Sequence, residues 1–423
     1  MATKNHDRGI LVYANWNGLK APKLMGVLRA SQLRGKEIFS FEYSQEWLSS
    51  GNAQNIDPDL QLFSGPQYLK EEKRNFSIFL DSSPDRWGRV LMQRREAIVA
   101  RAENRKANSL LEIDYLLGVY DEHRMGAIRF KECEGGIFLN DNKEFATPPW
   151  TSIRDLEYAS LQIEKSDNLD NPEYIKWMNL LIAPGSSLGG ARPKAGVLDT
   201  ENNLWIAKFP SANDNRDIGA WEMVVNDLAK QADINISVAM VRKFTTKYHT
   251  FLTKRFDRAA ARERIHFASA MTLLGYTDGA SFQDGVSYLA LAEFIIKHGA
   301  RVDLDLEELW RRIVFNICVS NTDDHLRNHG FLLTKKGWIL SPAYDMNPVE
   351  NGTGLKLNIS ENDNSLDLNL ALEVIDYFRV SSEKANQIIE SIKRSVENWR
   401  VVAEKYKIDK AEQEIMSKAF LFG

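Results

Sequence analysis

Asn321-Thr322-Asp323-Asp324-His325-Leu326-Arg327-Asn328-His329 gathers carboxylate, amide and imidazole groups into one short segment. Residues 304 to 319 before it carry apolar side chains at helical spacing, and Gly330 to Thr334 after it read as a strand. A polar segment between a helix and a strand is a loop, and loops held by rigid elements are where metal-binding and proton-transfer groups collect. Two chemistries stay open. Asp323 supplies a carboxylate for proton transfer and Asn328 an oxygen ligand of the kind Mg²⁺ prefers. His325 and His329, with Asp323 or Asp324, supply a transition-metal set of the kind found in metal-dependent hydrolases. Histidines four apart share a face only on a helix, and Gly330 with the strand behind it argues against one there. A plain solvated turn accounts for Asp324, Arg327 and His329, but not for Asp323, His325 and Asn328 together.

An Asp followed five residues later by an Asn is the spacing of a kinase catalytic loop, where the carboxylate orients or accepts the substrate hydroxyl proton and the amide oxygen binds Mg²⁺. Farther on, Ser341-Pro342-Ala343-Tyr344-Asp345-Met346-Asn347-Pro348 places Asp345 just after a short hairpin, where a kinase keeps its second Mg²⁺ ligand.

Upstream, Gly185-Ser186-Ser187-Leu188-Gly189-Gly190-Ala191-Arg192-Pro193-Lys194 combines small residues with two cations. Glycines let backbone amides approach an anion closely, so the stretch reads as a phosphate cradle or as a plain flexible loop. It also fits G-x-S-x-G, the nucleophile elbow that would make Ser187 a nucleophile. That elbow needs a strand before it and a helix after it, and here the order is reversed. The Walker pattern is not met, because Ala191 follows Gly190 and no Ser or Thr follows Lys194. Trp205-Ile206-Ala207-Lys208-Phe209 then sets a lysine in an apolar strand, and Glu222 on the next helix is its available partner.

Working outward, Ile10 to Ala14, Met25 to Leu28 and Ile38 to Tyr43 predict a small antiparallel sheet. A helix is predicted from Pro84 to about Arg105. It carries a basic stripe of Arg86, Arg89, Arg94, Arg95, Arg101, Arg105 and Lys106, read as a solvated face or a docking surface for an acidic partner. A helix and strand are expected over 108 to 131, and helices over 152 to 165 and 172 to 182. Then come strands at 195 to 198, 204 to 209, 238 to 244 and 251 to 256, with a helix from Asp217 to Gln231. Beyond Ser287 helices are expected near 288 to 298, 304 to 319, 368 to 378, 383 to 404 and 409 to 421. Boundaries near 145 and 285 divide the chain into 1–145, 146–285 and 286–423, in keeping with about 150 residues per domain for a chain of 423.

With 43% hydrophobic residues the chain can bury a core, which excludes a disordered protein. A net charge of -4, from 54 basic and 58 acidic residues, gives no whole-chain attraction to nucleic acid. No export signal is visible, and the best apolar stretch, Tyr288 to Ile296, falls short of the roughly 20 residues of a membrane span. Cys133 and Cys318 show no ligand spacing, so a soluble protein of the reducing cytoplasm is expected.

Five ordered motifs then resemble the HipA family, the serine/threonine kinase toxins of bacterial type II toxin-antitoxin modules. They are Ser187 to Lys194, Ile206 to Pro210, Lys254-Arg255-Phe256-Asp257-Arg258, Asn321 to His325 with Asn328, and Tyr344-Asp345. Phe41-Glu42-Tyr43 and Asp81 to Arg86 extend the similarity into the N-terminal part. The resemblance implies an α+β fold: a protein-kinase-like two-lobed core, with a mixed β-rich N-lobe and an all-helical C-lobe, plus an additional N-terminal α+β subdomain. It implies ATP and Mg²⁺ as cofactors, Asp323 as catalytic base, and Asn328 and Asp345 as Mg²⁺ ligands. Gly189, Gly190, Ala191, Arg192, Lys194 and Lys208 would bind phosphate, and Lys254, Arg255, Phe256, His325 and Tyr344 would line the nucleotide site. Ser187 would be the autophosphorylated serine, whose added charge would repel ATP. Implied partners are a protein substrate in translation such as an aminoacyl-tRNA synthetase, and a small DNA-binding antitoxin of the HipB type through which DNA is mainly met. A catalytically silent kinase fold acting as a binding or repressor module is the alternative. Retention of Lys208, Asp323, Asn328 and Asp345 speaks against it.

Overall fold

Alternating burial along β1 (Arg8–Ala14) puts Ile10, Val12 and Ala14 on the core face, and the strand pairs antiparallel with β2 (Lys23–Leu33). In this computed structural model the described residues are 8–33, 36–69, 73–143, 146–165, 174, 177–178, 181, 190, 192–259 and 262–422. They form two units, Met1–Ala207 with Asp257–Ala268, and Lys208–Phe256 with Ser269–Gly423. No helix among the described residues is long and apolar enough to cross a membrane.

The first unit is built on β1, β2, β3 (Lys36–Tyr43), β4 (Gln67–Tyr68) and β5 (Ile128–Lys131), ordered β4-β3-β2-β1-β5 and antiparallel throughout. Phe41, Phe79 and Phe130 form the centre of its core, with ring centroids 5.7 and 5.9 Å apart. Gly26 on β2 is required by close approach, because a Cβ there would lie 2.1 Å from the Glu42 carbonyl oxygen. Gly26→Ala is expected to lower the stability of this unit by about 1–3 kcal/mol, read as a lower urea midpoint. Helices α1 (Gln45–Ser49), α2 (Ser77–Asp81), α3 (Arg86–Ala102), α4 (Glu112–Gly118) and α5 (Ile153–Lys165) follow, and β6 (Lys194–Leu198) neighbours β7 (Leu204–Lys208). The expected helix over 172 to 182 lies largely outside the described residues.

Asp85 caps α3 by accepting the Gly88 N–H at 2.7 Å. Much of the basic stripe on α3 is tied down within this unit. Arg89 forms a two-pronged pair with Glu112 at 2.8 and 2.7 Å, Arg94 donates to the Ile163 carbonyl, and Arg105 pairs with Glu96 and Glu103. Arg124 is fully buried, and its guanidinium donates to the carbonyls of Ser82, Leu116, Val119 and Leu139. The Asp257–Ala268 stretch is bonded firmly into the same unit. Asp257 accepts the Gly126 N–H at 2.8 Å, Arg264 donates to the Asp121 carbonyl at 2.7 Å, and His266 stacks on Trp16.

The second unit contains an antiparallel pair, β8 (Ala239–Arg242) and β9 (Thr250–Lys254), beside α6 (Ile218–Gln231). Asp217 caps α6 and also accepts the His249 backbone N–H. The rest carries one hairpin and further helices, with long loops over 319–329 and 341–367: α7 (Tyr288–His298), α8 (Val302–Cys318), β10 (Gly330–Thr334), β11 (Gly337–Leu340), α9 (Leu368–Glu373), α10 (Ser382–Glu397), α11 (Trp399–Lys405) and α12 (Lys410–Met416). Helix α8 is the core of this unit. Leu306, Leu309, Trp310, Ile313, Val314, Phe315 and Ile317 are buried because α7, α9 and α10 pack against it.

Candidate functional site

Strand β7 buries Leu204 to Ala207 and ends at Lys208, whose ammonium has only 15% of its side chain exposed. The lysine donates to Glu222 Oε1 at 2.6 Å and to Asp345 Oδ1 at 2.6 Å. Burial opposes its charge, but the Asp345 and Glu222 carboxylates outweigh that cost and hold the ammonium above the ordinary lysine range. The partner expected on the following helix is therefore in place, and Asp345 joins it from more than a hundred residues away.

Asp345 is brought there by its segment. Residues 235 and 237 exchange backbone bonds with Ala343, and Arg312 on α8 donates to the Asn235 and Ser341 carbonyls. Asp345 itself adopts a left-handed backbone, with φ of 58°, a conformation that Asp tolerates better than most residues. Tyr344 donates its hydroxyl to the Arg327 carbonyl at 2.7 Å, and its ring lies 5.4 Å from that of Phe256. Lys254 closes β9, with its backbone N–H on the Val238 carbonyl, and Arg255 is buried.

The Asn321 to His329 segment leaves α8 through Ser320, also left-handed. Asp323 is exposed, and its carboxylate accepts no hydrogen bond among the described residues. Asn328 is buried and turns its amide N–H₂ to the Asp323 carbonyl at 3.1 Å, which leaves the amide oxygen as an acceptor. His325 is half-buried, and its Nδ1 has no hydrogen-bond partner among the described residues.

Asp324 and His329 are not solvated, contrary to the plain-turn reading. Asp324 Oδ2 takes three hydrogen bonds, from the Tyr288 hydroxyl at 2.6 Å, Asn316 Nδ2 at 2.8 Å and His329 Nε2 at 2.8 Å. Burial pushes its pKa up, yet His329 and Tyr288 together hold the carboxyl below the usual value. Because His329 Nε2 is committed to that carboxylate in a buried pocket, the two histidines do not present a shared metal face.

The oxygen donors of Asn328 and Asp345 fit Mg²⁺, which is held by one or two protein oxygens and completed by phosphates and water. Among the described residues no cluster of three His, Cys, Asp or Glu is placed to hold a metal ion.

The glycine loop belongs to the other unit. Ser186, Ser187, Gly189 and Ala191 lie outside the described residues. Gly190 has φ of 100°. Lys194 is 2% exposed and donates to Asp85 at 2.8 Å and to the Gly190 carbonyl at 3.3 Å. Its charge is thus engaged within the protein. No feature of the loop sequence points to Asp85, 109 residues away.

The HipA-like C-terminal domain family matches residues 186–399, half of the chain. The chain belongs to this family. HipA of Shewanella oneidensis, solved in a toxin-antitoxin complex with HipB and operator DNA, aligns with a TM-score of 0.63 at 16% identity, covering 97% of this chain and 94% of that one. The likeness shows the fold, α+β and kinase-like, with mixed sheets in the N-lobe, a helical C-lobe and an extra N-terminal subdomain. A candidate kinase of Haemophilus influenzae is 24% identical over 232 residues, 50% of this chain and 62% of that protein. Another from Sinorhizobium fredii is 30% identical over 149 residues, 33% of each. The chain therefore spans less than two thirds of the length of these curated relatives. Within the HipA-like domain lie Lys208, Glu222, Asp323, Asn328 and Asp345, and also the buried Tyr288, Asn316, Asn321 and Asp324. The first group was legible from spacing. Of the second, Asn321 and Asp324 lie in the same quoted segment as Asp323, while Tyr288 and Asn316 were not legible, because polar residues buried on apolar helices carry no periodic signal.

Proposed function

We propose that this chain is an ATP- and Mg²⁺-dependent protein serine/threonine kinase of toxin type, active in the cytoplasm. The observation that carries the reading is the Lys208 ammonium held 2.6 Å from both Glu222 and Asp345, the lysine and carboxylate arrangement of a phosphoryl-transfer site. Lys208 binds nucleotide phosphate, and Glu222 keeps its ammonium extended. Asp323, exposed and uncommitted, takes the proton of the attacking serine or threonine hydroxyl. Asn328 and Asp345 would hold Mg²⁺, which supplies neutralising charge to the phosphates when bound. Arg255, Phe256, Tyr344, His325 and the backbone at Lys254 line the nucleotide. Gly189, Gly190, Ala191, Arg192 and Lys194 form the phosphate cradle, with the Lys194 ammonium resting on Asp85 in this structure. Ser187 is the autophosphorylation site. The expected partners are a small antitoxin of the HipB type, supported by the complex in which the Shewanella oneidensis HipA was solved, and a protein substrate such as an aminoacyl-tRNA synthetase.

The test is incubation of the purified protein with γ-labelled ATP, with and without Mg²⁺, alone and with purified aminoacyl-tRNA synthetases and cell lysate. Mg²⁺-dependent label on a protein is expected, and self-labelling should disappear in Ser187→Ala but not in Ser186→Ala. Absence of any transfer by the wild type would sink the kinase reading and leave a silent kinase-fold binding module.

A further inference from the structure

Four hydrogen bonds join the two carboxylates Asp345 and Asp324 through three asparagines. Asn347 Nδ2 donates to Asp345 Oδ1 at 3.3 Å, and the Asn347 backbone N–H donates to Asn321 Oδ1 at 3.2 Å. Asn321 Nδ2 donates to Asn316 Oδ1 at 3.0 Å, and Asn316 Nδ2 donates to Asp324 Oδ2 at 2.8 Å. Asn316, Asn321 and Asp324 are each no more than 3% exposed.

The chain has a fixed polarity. A flipped Asn321 would turn its N–H₂ onto the Asn347 N–H, and a flipped Asn316 would turn its oxygen onto a carboxylate. The amides of Asn316 and Asn321 therefore each have one satisfied orientation. A connected buried network of this kind specifies geometry, whereas apolar side chains of the same volume would fill the space at equal or lower cost. The elements it joins are those that carry the proposed chemistry: Asp345 at one end, and at the other the loop that bears Asp323 and Asn328.

We infer that Asn316, Asn321 and Asn347 are positioning residues that lock Asp345 and the Asp323 to Asn328 loop into one register, so that the metal-holding oxygens and the base are set together. The inference rests on the kinase reading and deepens it. Asn316 decides the matter, because it touches neither Asp345 nor Asn328 and can affect a bound ion only through Asn321 and Asn347 or through the loop behind Asp324.

The experiment uses the full chain, with Mn²⁺ binding followed by electron paramagnetic resonance in the presence of a non-hydrolysable ATP analogue, beside rates of label transfer. Asn316→Ala, Asn321→Ala and Asn347→Ala are each expected to weaken Mn²⁺ binding about tenfold, the usual cost of removing a residue behind a metal ligand. The double variant Asn316→Ala/Asn347→Ala should bind little worse than either single, because one broken link opens the chain. Ser395→Ala supplies the control. Its hydroxyl donates to the Leu228 carbonyl at 2.6 Å elsewhere in the same unit, so it loses stability without losing Mn²⁺ affinity. If Asn316→Ala and Asn321→Ala bind Mn²⁺ like the wild type while melting earlier, as Ser395→Ala does, the network is structural only and the inference is overturned. Should Asn316→Ala fail to fold, Asn321→Ala decides alone. A wild type that neither binds Mn²⁺ nor transfers label overturns the kinase reading itself, a result separable from the others.

Discussion

Asp323→Asn should lower phosphoryl transfer roughly 10²- to 10⁴-fold, the range for loss of a general base, while leaving the melting temperature where it was. The expectation follows from the difference between two adjacent carboxylates. Asp323 is exposed and accepts nothing from the described residues, so its amide can replace it without stranding a partner. Asp324 is buried under three donors, and loss of its charge would strand Tyr288, Asn316 and His329. Single-turnover assays with labelled ATP, read beside thermal melts, distinguish the two. An Asp323→Asn protein within threefold of wild type would remove Asp323 from the chemistry.

The largest effect on stability is expected at the Lys194 and Asp85 pair. Both side chains are almost fully enclosed, at 2% and 1% exposure, and lie 2.8 Å apart. Removing one partner leaves an uncompensated buried charge, which costs about 3–5 kcal/mol. Lys194→Met should therefore destabilise the first unit by that amount. Asp85→Asn should do less harm to α3, because Asn caps a helix as well as Asp does. The double variant Asp85→Asn/Lys194→Met should recover most of the loss, because neither charge then remains to be stranded. Chemical denaturation of the four proteins, followed in the first unit's transition, measures the coupling. A double variant as unstable as the sum of the singles would show that the two residues act independently.

Periodicity located most of the regular elements, and its small misses have local causes. The helix expected over Pro84 to about Arg105, entered through Ser83-Pro84-Asp85, does start behind an Asp85 cap but stops at Ala102, where Glu103 ends it. The single helix expected over 383 to 404 is broken at Asn398, which ends α10 and precedes α11. At the site, spacing was enough to pair Asp323 with Asn328 and to offer Glu222 to Lys208. Three contacts could not be read that way: Asp345 on Lys208, Asp85 on Lys194, and Asn316 on Asp324. The first two join residues 137 and 109 positions apart, and the third is buried where polarity suggests solvent. Each depends on how the chain returns on itself, which no local pattern encodes.

That return has a bearing on how the protein is made. Asp257–Ala268 completes the first unit, supplying the Asp257 carboxylate under Gly126 and the Arg264 guanidinium on Asp121. A ribosome that has just released residue 207 has therefore delivered most of that unit but not its last piece. All of 208–256 must emerge before the missing segment does. Folding from the N-terminus thus passes through a nascent chain in which Gly126 lacks the Asp257 carboxylate and Asp121, already on Arg129, lacks the Arg264 guanidinium, and for that interval the growing polypeptide is a natural client for chaperones.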